Sequence, residues 1–194
     1  MMAMKATAYV VGPHDGPGAG LTEMVRQFDF VTVQRFAGVI QAEQQAARTP
    51  VCFFLFAAVD NVGNLRAIAD AIRFSANRRI RFSPLMYFSE SPSSQAIGRC
   101  IEMGFDDVVT MPFTPARVME RMTRQIGRRF TYYETARYFG PDRRGRLAMP
   151  QRVEEVEPDG QFRRLEILRH LGTGVNVVRD DFFQPAAGAQ RARG

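Results

Sequence analysis

Strand-like and helix-like runs alternate five times across the first 126 residues, and this alternation constrains the fold more than any other feature of the chain. Ala6 to Val11 is a compact apolar run ending at a glycine and proline cluster, the pattern of a buried strand feeding a loop. Leu21, Met24, Val25 and Phe28 recur at helical spacing, Phe30 to Val33 is a second strand, and Val39 to Ala47 is helix-forming up to Thr49-Pro50. Val51 to Val59 is almost wholly apolar, as expected of a central parallel strand covered on both faces. Leu65, Ile68, Ala69 and Ile72 mark a third helix and Pro84 to Phe88 a fourth strand. Ile97, Cys100, Ile101 and Met103 follow on another helix, closed by Gly104 as a left-handed cap. Asp107 to Thr110 is a fifth strand. Thr114 as N-cap and Pro115 in the first turn then open a helix whose apolar face is Val118, Met122 and Ile126. The predicted fold is α/β: a five-stranded parallel doubly wound sheet with a C-terminal extension. In such sheets functional residues cluster beyond the carboxyl ends of the strands.

The chain has 194 residues, 45% of them hydrophobic and 24% charged, which excludes wholesale disorder and suits one domain with a substantial appendage. No apolar run approaches the roughly 20 residues that span a bilayer, so no membrane partner is expected. The N-terminal run before Gly12-Pro13-His14-Asp15-Gly16-Pro17 is too short and broken for a secretory signal. Cys52 and Cys100 sit inside apolar patterns and read as buried thiols of a reducing compartment, so the expected location is cytoplasmic.

The net charge is +6, with Lys5 the single lysine. From Arg117 to Arg152 ten arginines face only Glu120, Glu134 and Asp142, and the rest of the chain sums to about −1. The positive excess is therefore local, as on a surface that meets something anionic or on a solvated helix face followed by a basic linker.

Gly104-Phe105-Asp106-Asp107-Val108-Val109 followed by Met111-Pro112-Phe113, with the helix after it, resembles the G-A-D-D-Y-(L/I)-x-K-P-F run of bacterial response-regulator receiver domains. Pro50 to Leu65 aligns with that family's third strand and loop. The resemblance covers roughly residues 5 to 128 and implies the flavodoxin/CheY-like fold. It also implies a phospho-accepting aspartate at the end of the third strand, two metal-holding acids after the first, a hydroxyl after the fourth and a lysine before Pro-Phe. Clustered oxygens are what a divalent metal needs, and cations with a hydroxyl are what an acyl phosphate needs.

This chain departs from that set. The phospho-acceptor position falls on Phe56, the acid pair on Gly12 and Pro13, and the lysine on Met111; Ser89 alone keeps the hydroxyl. The pattern is that of a degenerate receiver, a pseudo-receiver, with Phe56 plugging the lost acidic pocket and Met111 as filler beside it. A relocated site from His14, Asp15 and Asp60 is the competing reading. Ser89, with nothing to coordinate, reads as a helix or loop cap, and His170 has no assigned role. No cofactor, metal or catalytic set is expected.

Beyond residue 128 the expectation is a basic, partly structured extension over 129–184 and a disordered tail over 185–194. Arg137-Tyr138-Phe139-Gly140-Pro141-Asp142-Arg143-Arg144-Gly145-Arg146 resembles a Y-(F/V)-G-P-D-R-R-R tail found after receiver domains in some alphaproteobacterial proteins. Arg128, Arg129, Arg137, Arg143, Arg144 and Arg146 are the candidate anion- or partner-binding set, since guanidinium forks pair with phosphate and stack on planar groups. Three readings stay open: an intramolecular clamp through Asp142 and the arginines, a protein partner, or an anionic ligand such as cyclic di-GMP. No helix-turn-helix follows, which argues against nucleic acid. Residues 151 to 194 hold too little apolar surface for their own core, and read as a short helix or as an element added to the preceding domain or to a partner chain. The expected function is a non-phosphorylatable signalling adaptor, not an enzyme, meeting proteins of a two-component or related pathway. The resemblance also implies a homodimer through the fourth-helix, fifth-strand and fifth-helix surface, here bearing Arg99, Arg117, Arg121 and Arg124.

Overall fold

The structure is a computed structural model and describes residues 4–90, 93–142 and 161–184. Five strands, β1 (Met4–Val11), β2 (Phe30–Arg35), β3 (Cys52–Phe56), β4 (Leu85–Ser89) and β5 (Asp107–Thr110), form one parallel sheet in the order β2-β1-β3-β4-β5. That is the doubly wound flavodoxin/CheY-like order, with its switch point between β1 and β3. The crossovers are α1 (Gly16–Arg26), α2 (Val39–Ala46), α3 (Arg66–Arg73), α4 (Arg78–Arg81), α5 (Ser94–Glu102) and α6 (Pro115–Thr123).

β3 explains why the central run is so apolar. Phe53 and Leu55 enter the layer under α1 and α6, with Leu21, Val25, Val118 and Met122. Cys52, Phe54 and Phe56 enter the opposite layer with Ala42, Ala69, Ile72 and Cys100. The strand stops at Phe56, short of the predicted Val59. The Ala57 amide still donates to the Val11 carbonyl at 2.8 Å before the chain leaves the sheet. The Thr114 hydroxyl accepts from the Arg117 amide at 3.3 Å as the predicted N-cap. The short helix α4 lies between the predicted third helix and fourth strand, and is opened by the Asn77 side chain accepting from the Arg79 amide at 3.0 Å.

Of the two alternatives for the extension, a short helix or an added element, its described residues form the second. β6 (Arg129–Glu134), β7 (Phe139–Pro141), β8 (Phe162–His170) and β9 (Gly174–Phe183) form a separate antiparallel sheet in the order β7-β6-β8-β9. Leu165, Ile167 and Arg169 alternate onto its buried face. That face holds Tyr132, Phe139, Leu165 and Ile167, and becomes a core only by sharing Phe82 with the parallel-sheet region. Among the described residues, no helix is long and apolar enough to cross a membrane. Arg143, Arg144 and Arg146, the Pro158-Asp159-Gly160 turn signal and the 185–194 tail lie outside the described residues.

Candidate functional site

At the carboxyl ends of the strands, where a doubly wound sheet places its chemistry, β1 runs into Gly12 and β3 into Ala57. A Cβ on Gly12, which has φ +139°, would lie 3.0 Å from the Ala57 Cβ, so the two strand ends touch through the smallest side chains available. Phe56 is fully buried and faces away from this junction, its ring edge-on to Phe105 at 4.7 Å inside the layer under α2 to α5. Met111 is 53% exposed, which corrects the reading of it as buried filler beside Phe56. Pro13 is exposed. Ser89 is buried at the end of β4, where its carbonyl accepts from the Met111 amide at 3.2 Å. Capping of the next helix falls instead to Ser93, whose hydroxyl accepts from the Ala96 amide at 3.0 Å. His14, Asp15 and Asp60 are all exposed. No group of three or more metal-ligating side chains is present among the described residues. A cation does reach this end: Arg35 donates to the Gly12 carbonyl at 2.7 Å.

The opposite end of the sheet carries the charged chemistry. Asp106, just before β5, is fully buried, and both its oxygens are saturated. Oδ2 accepts from Arg73 Nη2 at 2.5 Å and from the Leu85 amide at 2.8 Å. Oδ1 accepts from Arg169 Nη2 at 2.8 Å and from the Tyr132 hydroxyl, which itself accepts from Arg169. Arg73 spends its remaining donors on the carbonyls of Gly104 (2.9 and 2.6 Å), Arg81 (2.8 Å) and Ser83 (2.9 Å). Arg169 donates through Nε to the Phe82 carbonyl at 2.7 Å and through Nη1 to Gln125, at 3.4 Å to its carbonyl and 3.2 Å to its Oε1. Every guanidinium N–H thus has a partner, and two buried cations share one buried anion with carbonyl dipoles carrying the excess.

Burial pushes the Asp106 carboxyl up. The charges of Arg169 and Arg73, with hydrogen bonds from Tyr132 and the Leu85 amide, outweigh it and hold the group down at about 2. Burial likewise pushes the Tyr132 phenol well up, so it stays a donor. The network joins β8 and β6 of the extension to α3, β5 and the segment before β4.

Tyr138-Phe139-Gly140-Pro141 is the second part of this clamp. Gly104, with φ +76°, and Gly140 meet backbone to backbone. A Cβ on Gly140 would fall 2.6 Å from the Gly104 Cα, and one on Gly104 would fall 2.2 Å from the Phe139 carbonyl. Phe139 is buried against Phe82 and Tyr132 with the Arg81 guanidinium 4.1 Å above its ring. Arg81 also pairs with Glu134 at 2.7 Å, Glu134 lies 3.6 Å from Arg163, and Arg163 holds Asp180 at 2.6 Å. The described tie between the two sheets therefore runs through Arg73, Arg81 and Arg169. Asp142 contributes a backbone bond, its amide donating to the Thr131 carbonyl at 2.7 Å.

The described members of the candidate basic set, Arg128, Arg129 and Arg137, do not converge. Arg128 lies 5.2 Å from the Phe130 ring, and Arg129 lies 3.8 Å from Glu166 at the start of β6. Arg137 sits in the turn past the other end of that strand, roughly 20 Å of extended chain away. On the surface around β5, Arg99 bonds Asn61 at 2.9 Å, Arg121 pairs with Asp107 at 3.0 Å and Arg124 with Glu120 at 2.5 Å. His170 ends β8 and accepts the Gly172 amide at 3.2 Å.

Reading the sequence alone did not single out Arg35, Arg73, Asp106, Tyr132 or Arg169 as interacting groups. The signal for Arg169 was present: at period two it shares a face with Leu165 and Ile167, so a strand there buries a cation that must find an anion.

No family model matches the chain, and no curated protein does. Solved structures similar to it include a receiver domain of a sensor histidine kinase from Pseudomonas aeruginosa PAO1, determined with magnesium in its active-site cleft. The two are 19% identical, with 61% of this chain and 95% of that one covered and a TM-score of 0.46. A CheY-like protein, TadZ, from the same organism is 13% identical, with 62% and 98% covered and a TM-score of 0.47. A response regulator from Desulfuromonas acetoxidans is 18% identical, with 61% and 94% covered and a TM-score of 0.40.

Proposed function

We propose that this chain is a cytoplasmic, receiver-like signalling adaptor that takes no phosphoryl group, catalyses no reaction and works through protein contacts within a two-component or related pathway. The observation that carries this reading is the junction at the switch point, where Gly12 meets Ala57. An acyl phosphate needs a carboxylate there and a divalent metal needs several oxygens, whereas Phe56 offers a phenyl ring turned into the core. Met111 offers no charge for a phosphoryl oxygen, and its exposed side chain, beside exposed Pro112, suits contact with a protein. Cys52 and Cys100, both buried and outside any disulfide, accord with a reducing compartment. Binding of a cyclic dinucleotide by the arginine set draws no support from Arg128, Arg129 and Arg137, which lie at opposite ends of one strand.

Incubation of the full chain with acetyl phosphate and magnesium, followed by intact-mass spectrometry, tests the reading. The expected result is an unmodified chain at every time point. A stable phosphoryl adduct that disappears in Asp15→Asn or Asp60→Asn would overturn it.

A further inference from the structure

Three of the most exposed large apolar side chains fall within six residues of one strand: Val178 at 46%, Phe182 at 59% and Phe183 at 40%. All belong to β9, the outermost strand of the antiparallel sheet, which pairs with β8 along one edge and with no described strand along the other. An open edge presents a row of free backbone donors and acceptors to another strand.

The side chains of β9 are self-complementary. When the strand is laid antiparallel to a copy of itself about Asp180, Val178 falls opposite Phe182 of the second copy and Arg179 opposite Asp181. Each pair occurs twice. β-branched–aromatic and opposite-charge pairs are the cross-strand combinations that stabilise a sheet. Arg179 and Asp181 are paired within one chain at 2.6 Å, so the two copies together form an alternating ladder of four charges. The one like-charge meeting, Asp180 on Asp180, is already neutralised, because Arg163 holds each carboxylate bidentately at 2.6 and 2.7 Å. Val178 is the extra residue of a bulge, with no β8 residue opposite it, which leaves its side chain unspent within the chain.

We infer that β9 is a homodimerisation strand, joining two copies of this chain edge to edge into an eight-stranded antiparallel sheet. The inference does not rest on the adaptor reading, and it places the dimer contact on the extension, away from the surface around β5. A single strand pair is a small interface, so association in roughly the micromolar range is expected.

Sedimentation equilibrium of the full chain tests this with Val178→Lys, Phe182→Glu and the two together. Residues 178 and 182 lie about 13 Å apart within one strand, so they meet only across the two-fold axis. Each single variant is expected to weaken the dimer by roughly tenfold or more. The double variant, with lysine opposite glutamate of the other copy, recovers it. Far-UV circular dichroism stays at the wild-type value, as does Tm at chain concentrations below the dimer Kd, because both side chains are exposed. A wild-type chain that is monomeric at about 0.5 mM, a dimer that neither single variant weakens, or a double variant no better than the singles overturns the inference.

Discussion

The two ends of the parallel sheet are built in opposite ways. At the carboxyl ends of the strands Gly12 meets Ala57, the nearby acids His14-flanking Asp15 and Asp60 point to solvent, and Met111 is exposed. At the amino ends Asp106 lies buried between Arg73 and Arg169, with Tyr132 completing its shell and Gly104 pressed on Gly140. The contrast teaches where this chain invests its specificity. The end that a doubly wound sheet usually devotes to ligands is left chemically plain, and the end usually left to loops is fastened by charge to a second sheet.

The largest expected effect of breaking this contrast comes from Asp106→Ala. It leaves two buried guanidinium groups without their anion, a loss of about 3–5 kcal/mol, readable as a lowered urea midpoint. Acid reaches the same carboxylate without mutation. Its folded pKa lies below the unfolded value of roughly 3.9, so its contribution is full above about pH 4 and is lost as pH falls through about 2. Stability measured from pH 5 to pH 2 should fall steeply in the wild type and more shallowly in Asp106→Asn.

Gly140→Ala and Gly104→Ala each push a methyl group into the opposing backbone and should cost roughly 1–3 kcal/mol. Because both relieve themselves by the same separation of the two turns, the double variant should cost less than the sum. At the other end of the sheet Met111→Lys places a cation at the strand ends, yet should shift stability by less than about 0.5 kcal/mol. On the proposed reading it should also leave the chain unlabelled by acetyl phosphate, since a lysine supplies no carboxylate there.

The parallel sheet was legible because its signals are local. Apolar β3, the Thr114 cap and the left-handed Gly104 each follow from a few adjacent residues. The places of Gly12, Phe56 and Met111 at the carboxyl ends of β1, β3 and β5 were legible for the same reason, since each closes a strand read from local pattern. Their three-dimensional roles were not: Phe56 was expected in the vacated pocket, but the pleat turns it into the opposite layer and leaves Ala57 at the junction. The extension was only half legible because Leu168 interrupts the alternation of Leu165, Ile167 and Arg169, so the run fits a short helix as well as an added element. The Asp106 network was hidden because the partners of Asp106 lie 21 to 63 residues from it along the chain, and no local pattern announces a partner at that range.

The central claim is that extension and parallel sheet are one cooperative body, locked at the amino ends of the strands. Native-state hydrogen exchange of the full chain, read by mass spectrometry, tests it most directly. The account predicts that the amides of β6 and β8 exchange together with those of β3, and that Asp106→Ala speeds β6 and β8 by a large factor. Exchange of β6 and β8 at loop-like rates in the wild type, with β3 still protected, would contradict it.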